Sequence, residues 1–336
     1  MSKVIYLIGA GASYGTRDEK GIGMARYRSG MPVMAEIRDC LESYCRTLNY
    51  PISFGDGKQY ITCPRLYNEL RWLLSIAKGN LTIDTYAKQL YVKEAWAELE
   101  RLKRALSIFL SIIQREEKRD LRYDGFMDAV TDKRGRMRSE VSVLSWNYDH
   151  QLEYAFHQFE KQRTSETHQY KYANISCKGY SEQYIDNTDS NLVKLNGMAW
   201  FAPKHDHYLF EESDNTKERF DRMLGEASFN ANNFISYAWE EDYGFIDKVL
   251  KLVEDTEILV IIGYSMPDVN RTVDFRIISE MTKLKSVVIQ DRETECDSIK
   301  NRFIELLSEE KRNELKDKIR FETNLGRFYV PLSLSL

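Results

Sequence analysis

The sequence predicts an α/β protein built on a Rossmann-like parallel sheet with a helical insertion. Three observations carry this. Short β-branched apolar runs recur along the chain, beginning with Val4-Ile-Tyr-Leu-Ile8. Unbroken runs of this length mark strands covered on both faces. Helical texture separates several of them, as in βαβ connections. Each run closes in Gly, Ser, Asn or Asp, which places polar residues at the strand ends where open parallel sheets bind ligands.

Taken in order, the first run enters Gly9-Ala-Gly11-Ala-Ser13-Tyr-Gly15. A Gly-rich turn after a strand brings backbone N–H groups close to a phosphate, with a helix N-terminus behind them. The same turn also reads as a tight strand-to-helix connection. It is not the dehydrogenase fingerprint. The third glycine position is Tyr14, and no acidic residue closes a second strand about 20 residues on. Gly30-Met-Pro32 precedes a helix pattern over 33–44, where a proline is ordinary. Residues 36–137 are charged, periodic and poor in strand formers. Trp96, Leu99, Leu102, Leu106, Phe109 and Ile113 share one helix face, read as core packing. Thr82 and Asp84 offer N-cap oxygens for a helix over 85–90.

Further strands are expected at Val141–Ser145, 192–195, Ile258–Ile262 and Ser286–Gln290. They lead into Ser145-Trp-Asn147-Tyr-Asp149, Lys194-Leu-Asn196-Gly197, Gly263-Tyr-Ser265-Met-Pro267-Asp268 and Gln290-Asp291. Asn147 or Asp149 also reads as the cap of the following helix. The expected organisation is a discontinuous sheet domain, 1–35 and 138–336, with a helical insertion at 36–137. A stretch at 202–240 is expected to form a lid or partner-facing insertion.

Composition narrows the function classes. Hydrophobic residues make up 43% and charged residues 30%, with 17 Gly and 6 Pro. That is enough for a packed core and too regular for a disordered or fibrous chain. The 48 basic and 52 acidic residues leave a net charge of −4, which argues against direct nucleic-acid binding driven by positive charge. Cys40, Cys45, Cys63, Cys177 and Cys296 form no C-x-x-C pair, so a zinc module is not expected and reduced thiols of a cytoplasmic protein are. The first apolar run goes straight into glycines, unlike a secretory leader. No apolar run approaches the roughly 20 residues of a membrane span.

In that order, Gly9-Ala-Gly11-Ala-Ser13, Gly30-Met-Pro32, Ser145-Trp-Asn147-Tyr-Asp149, Lys194-Leu-Asn196-Gly197 and Gly263-Tyr-Ser265-Met-Pro267 resemble the sirtuin-like family, specifically its bacterial branch found in antiphage defence. The resemblance runs from residue 4 to 291. Ile83-Asp-Thr-Tyr-Ala-Lys-Gln-Leu90 also resembles a pattern of that branch. It implies a sheet that binds NAD as substrate, without a metal. Gly9, Ala10, Gly11, Ala12 and Ser13 would line the diphosphate, and Pro32 and Tyr264 would join the cofactor-lining set. Gly263 and Ser265 would lie near the adenosine half, and Asp291 at its ribose or the adenine. Asn147 and Asp149 would face the nicotinamide ribose, forming the catalytic set with Asn196. The implied reaction is NAD cleavage to nicotinamide and ADP-ribose, depleting the infected cell's NAD. Implied partners are further copies of the chain, a HerA-type motor ATPase or a phage-sensing subunit, with neither membrane nor direct nucleic-acid contact.

One departure opens alternatives. The family usually carries His where this chain has Asn196, in a Lys-Leu-His-Gly pattern. An amide holds no proton near neutral pH, and a general base contributes typically 100- to 10,000-fold. The chain is then an NADase using another base, such as His150, His205 or His207; a binding-only subunit for NAD or ADP-ribose; or an engineered form of an active enzyme. Each of those histidines also reads as a solvated surface residue. A protein deacylase is a minor alternative, since such enzymes carry paired zinc-binding cysteines and the histidine.

Overall fold

A computed structural model describes residues 2–17, 29–48, 52–53, 59–60, 63–79, 82–116, 120–133, 136–156, 175–178, 192–199, 216–225, 235–241 and 244–334. The elements in chain order are β1 (Val4–Ile8), α1 (Ile37–Leu48), β2 (Ile52–Ser53), β3 (Gln59–Tyr60), α2 (Pro64–Ala77), α3 (Ile83–Val92), α4 (Trp96–Glu116), α5 (Arg122–Val130), β4 (Val141–Ser145), β5 (Ile175–Cys177), β6 (Leu192–Lys194), α6 (Thr216–Met223), α7 (Phe245–Val253), β7 (Ile258–Ile262), α8 (Arg271–Glu280), β8 (Ser286–Gln290), α9 (Glu293–Glu305), α10 (Glu309–Leu315) and β9 (Ile319–Glu322). They fall into two compact units. The first is Met1–Ser13, Asp120–Met198 and Ser236–Leu336; the second is Tyr14–Arg119 and Ala199–Ile235.

The first unit is an α/β, Rossmann-like body around a seven-stranded sheet of order β5-β6-β4-β1-β7-β8-β9. Every neighbouring pair is parallel. β1 lies at its centre, and none of its residues is more than 3% exposed, so both faces are apolar. Ile5 and Leu7 join Leu259, Ile261, Val287 and Ile289 against Phe245, Ile246 and Val249 of α7, Ile277 of α8 and Phe303 of α9. Val4, Tyr6 and Ile8 alternate to the opposite face and meet Tyr123, Phe126, Met127 and Val130 of α5. Each aliphatic side chain buried this way contributes about 2 kcal/mol. The chain runs from β1 to β4, β5 and β6 on one side, then crosses to β7, β8 and β9 on the other. The topological switch point therefore lies between β1 and β7.

Several expectations change here. Residues 120–137 do not belong with the helical insertion. α5 lies in the first unit because its apolar face packs on β1 and β4. β6 ends at Lys194 rather than 195. β5 and β9, of three and four residues, were not expected, and β9 has no fully buried residue to give it an apolar run. No helix follows the Gly-rich turn through residue 17; residues 10–13 are turns and 14–16 are irregular. The pattern over 33–44 begins as a 3-10 turn, Met34–Glu36, before α1.

The second unit is helical, with the small antiparallel pair β2–β3. Thr82 caps α3, its Oγ1 accepting from Thr85 N at 3.1 Å. Cys63 offers α2 no oxygen cap, so Asp221 of α6 accepts from Arg65 N at 2.7 Å and Leu66 N at 2.9 Å. The α4 stripe from Leu99 to Ile113 is buried, whereas Trp96 is 51% exposed at the helix start. Pro32 lies buried in this unit, in a stretch gathered by Arg17, which donates to Met31 O at 2.7 Å and Ser29 O at 3.0 Å and pairs with Glu36 at 3.1 Å. Of the stretch at 202–240, only 216–225 and 235–240 lie within the described residues. All five cysteines are buried and unbridged. Among the described residues, no helix is long and apolar enough to cross a membrane.

Candidate functional site

Parallel register brings the polar strand ends into one row. Ile8 is level with Ser145 and Ile262, Ser145 with Lys194, Ile262 with Gln290, and Lys194 with Cys177. Gly9, Trp146, Leu195, Gly263 and Asp291 are the next residues along, so Asn147 and Asn196 each lie two residues past a registered pair. All of these belong to the first unit.

At the switch point the two turns close on each other. Gly9 N donates to Ile262 O at 3.1 Å and Gly11 N to Gly263 O at 2.8 Å. A Cβ on Gly9 would lie 2.7 Å from the Tyr264 ring, and one on Gly11 2.8 Å from Gly263 Cα. Gly263 has φ +57°, and a Cβ there would lie 2.1 Å from Ala12 N. The glycines are therefore required first by backbone-to-backbone packing. Ala12 N and Ser13 N are also committed, to Gly9 O at 2.9 Å and Ala10 O at 3.2 Å. Of the five amides expected to line a diphosphate, the exposed Ala10 N–H alone has no partner among the described residues.

Ser13 is the hub of a buried network. Its Oγ donates to Asp149 Oδ1 at 3.0 Å and accepts from Asn147 Nδ2 at 3.1 Å. It lies 2.8 Å from the Tyr123 hydroxyl. Ser13 has one proton, and the Asp149 carboxylate takes it, so Tyr123 donates to Ser13. Asn147 must then turn its Nδ2 to Ser13, which leaves its Oδ1 as the atom facing outward. That oxygen has no partner among the described residues. Asp149 Oδ1 also accepts from Gln151 N at 3.0 Å, the helix-entry role that the sequence allowed. Burial raises the Asp149 carboxyl pKa above the usual range, opposed by the nearby Lys194 charge. Burial, with Asp149 beside it, pushes the Tyr123 phenol well up.

Lys194 fixes this turn from the neighbouring strand. Its Nζ donates to Asp149 O at 2.7 Å and pairs with Glu153 at 2.9 Å, the two side chains being 1% and 2% exposed. Two residues on, Asn196 is 7% exposed. Its Nδ2 donates to the Tyr148 hydroxyl at 3.4 Å, while its Oδ1 is buried with no hydrogen-bond partner among the described residues. A buried acceptor left unmade costs about 1–3 kcal/mol, so this oxygen calls for an explanation, and a bound group is one that its place in the strand-end row allows.

The other expected residues fare differently. Tyr264 faces the core: its ring stacks on Trp146 at 6.0 Å and its hydroxyl donates to Asp274 Oδ2 at 2.7 Å. Trp146 Nε1 donates to the other oxygen at 3.1 Å. Burial lifts the Asp274 carboxyl pKa to about 7 despite these bonds. Ser265 is exposed, and its carbonyl accepts from Arg302 at 2.5 Å. Asp291 is half-buried, accepts from Arg292 N at 2.7 Å, and has its pKa raised by burial. Gln290 turns away from the row, holding Asn324 O, Arg327 O and Tyr329 N at 2.7, 2.7 and 2.8 Å. His150, read as a surface residue, is 5% exposed just before the helix at 151–156. His205 and His207 lie outside the described residues. Tyr123, Tyr148, Glu153 and Asp274 were missed. The one usable signal was Lys194 itself, a lysine in an apolar strand that requires an acid partner.

No protein-family model matches the chain, and no curated protein matches it either.

Proposed function

We propose that the protein is an NAD glycohydrolase, cleaving NAD to nicotinamide and ADP-ribose, and that it serves antiphage defence by depleting NAD. The observation that supports the reading most is the pair of amide oxygens at adjacent strand ends. Asn196 Oδ1 is buried and unmet, and Asn147 Oδ1 is turned outward by Ser13. Two neutral acceptors suit the hydroxyl donors of a ribose and add no charge of their own. The ordered motifs that resemble the sirtuin-like defence branch support the same substrate.

In this reading the C1′–N bond breaks with its electron pair leaving on nicotinamide, and a water oxygen then bonds to C1′ and releases its proton to solvent. Asn147 and Asn196 hold the ribose while positive charge grows on it. Asp149 acts one bond further back, its negative charge bearing on Asn147 through Ser13. Copies of the chain, or a HerA-type ATPase or phage-sensing partner, would restrain the activity.

A second reading has its own observation. Position 196 carries an amide rather than a proton-accepting imidazole, which favours a subunit that binds NAD or ADP-ribose without turnover. Nicotinamide release from NAD separates the two. The enzyme reading expects release that Asn147→Ala lowers by about 100-fold or more and Asn196→His raises by about tenfold or more. Binding without release, in the native chain and in Asn196→His alike, would establish the second reading.

A further inference from the structure

The segment Ser236–Glu240 lies against Asn196 and is held by a lysine to which nothing above gives a role. Ser236 N donates to Asn196 O at 2.8 Å. Residues 237–240 then close a turn. Glu240 N donates to Tyr237 O at 3.1 Å, and Tyr237 N donates to Glu240 Oε2 at 2.7 Å. The Tyr237 ring meets Tyr148 edge-on at 6.4 Å, and the Tyr148 hydroxyl is the group that accepts from Asn196 Nδ2. The backbone of this turn therefore borders Asn196 directly, and its Tyr237 ring borders the tyrosine that Asn196 bonds.

Lys178, just past β5, is 1% exposed. Its Nζ donates to Tyr237 O at 2.6 Å, Glu240 O at 3.0 Å and Ala238 O at 3.3 Å. An ammonium has three N–H groups, and here three carbonyls of one turn receive them. A buried charge is costly unless it is fully hydrogen-bonded, so the ammonium and the turn fix each other in one arrangement.

We infer that Lys178 is a positioning residue: by seating the 236–240 turn against Asn196 it fixes one wall of the place that the proposed function gives to the ribose remote from adenine. The inference rests on the nucleotide reading above and deepens it. Lys178 itself touches no ligand. It acts by holding the turn, which meets the Asn196 backbone through Ser236 N and meets Tyr148, the acceptor of the Asn196 amide, through the Tyr237 ring.

Two nucleotides separate this subsite from the rest of the site. ADP-ribose carries the second ribose and ADP does not. Calorimetric titration of Lys178→Met, which keeps the length of the side chain but removes its N–H groups, is expected to weaken ADP-ribose by about tenfold or more while ADP stays within about twofold. Equal weakening of both, or no weakening, overturns the inference. If the native chain binds neither nucleotide, the nucleotide reading fails and this inference falls with it; native binding with an unaffected variant defeats this inference alone. A second measurement needs no variant and so does not depend on Lys178→Met folding. In the native chain, ADP-ribose is expected to slow amide hydrogen exchange at 236–240 by about fivefold or more while ADP leaves it unchanged. The same exchange with both nucleotides overturns the inference.

Discussion

Two stretches of one sheet edge, a few residues apart, handle their polar groups in opposite ways. Where β1 and β7 end, glycine turns press backbone on backbone, and Gly9, Gly11, Ala12 and Ser13 all spend their amides inside the protein. Where β4 and β6 end, side chains replace backbone. Ser13, Asp149 and Lys194 are committed to partners within the protein, while Asn147 and Asn196 each keep one oxygen unspent among the described residues. The first region secures the strand ends, and the second holds capacity in reserve. A glycine-rich turn is thus weaker support for a ligand than an unmet amide beside it, although the turn is the more conspicuous feature of the sequence.

The largest test breaks the closed region. Gly263→Ala adds a methyl 2.1 Å from Ala12 N at a residue with φ +57°, and the obstacle is backbone that cannot rotate away. A loss above about 4 kcal/mol is expected in denaturant unfolding, or failure to fold. Gly244→Ala is the matched control. It has φ +81° but nothing within 4 Å of the added carbon, so it loses only about 1 kcal/mol. Similar losses for the two would show that backbone contact at the switch point does not matter.

Asp274 couples the regions, since it holds Trp146 at the end of β4 and Tyr264 at the end of β7. Its folded carboxyl titrates near 7, against about 4 when unfolded. Between those values the folded state keeps a proton that the unfolded chain has released. Stability therefore falls as pH rises through this window, and the loss is complete above about 7. The contribution is up to about 4 kcal/mol. Unfolding at pH 5 and pH 8 is expected to show a falling stability in the native chain and a clearly shallower fall in Asp274→Asn, the remainder belonging to Asp84, Asp149 and Asp291, whose carboxyls burial also raises. An unchanged slope in the variant would assign the pH dependence to other groups.

The strands of the core were legible because β-branched runs such as Ile258–Ile262 must be buried on both faces, and their polar ends follow from parallel register. The site was legible only as positions. That Asn147 and Asn196 lie level comes from β4–β6 pairing, which motif order anticipates. What each does depends on Tyr123, Glu153 and Lys178, whose partners are distant in sequence or separated by elements with no shared period. α5 was misassigned for a similar reason. Its charged helical pattern matches that of α4, and only packing on β1 and β4 separates them. The roles of Tyr264 and His150 turned on burial, which a residue next to a strand end does not advertise.

The smallest expected effect is the sharpest test of the open region. Tyr123→Phe removes one donor to Ser13, yet Ser13 still gives its proton to Asp149 and still accepts from Asn147. Asn147 Oδ1 therefore stays outward. A loss of about 1 kcal/mol in stability is expected, with nicotinamide release or ADP-ribose affinity kept within about twofold. Ser13→Ala frees the Asn147 amide to rotate and leaves Tyr123 and Asp149 without their common partner. There the ligand readout is expected to fall by about tenfold, because the outward atom is no longer held as an acceptor. If Tyr123→Phe weakens the ligand as much as Ser13→Ala does, Asn147 is not oriented by proton count. The unspent oxygens at β4 and β6 would then be a consequence of packing rather than a site held open.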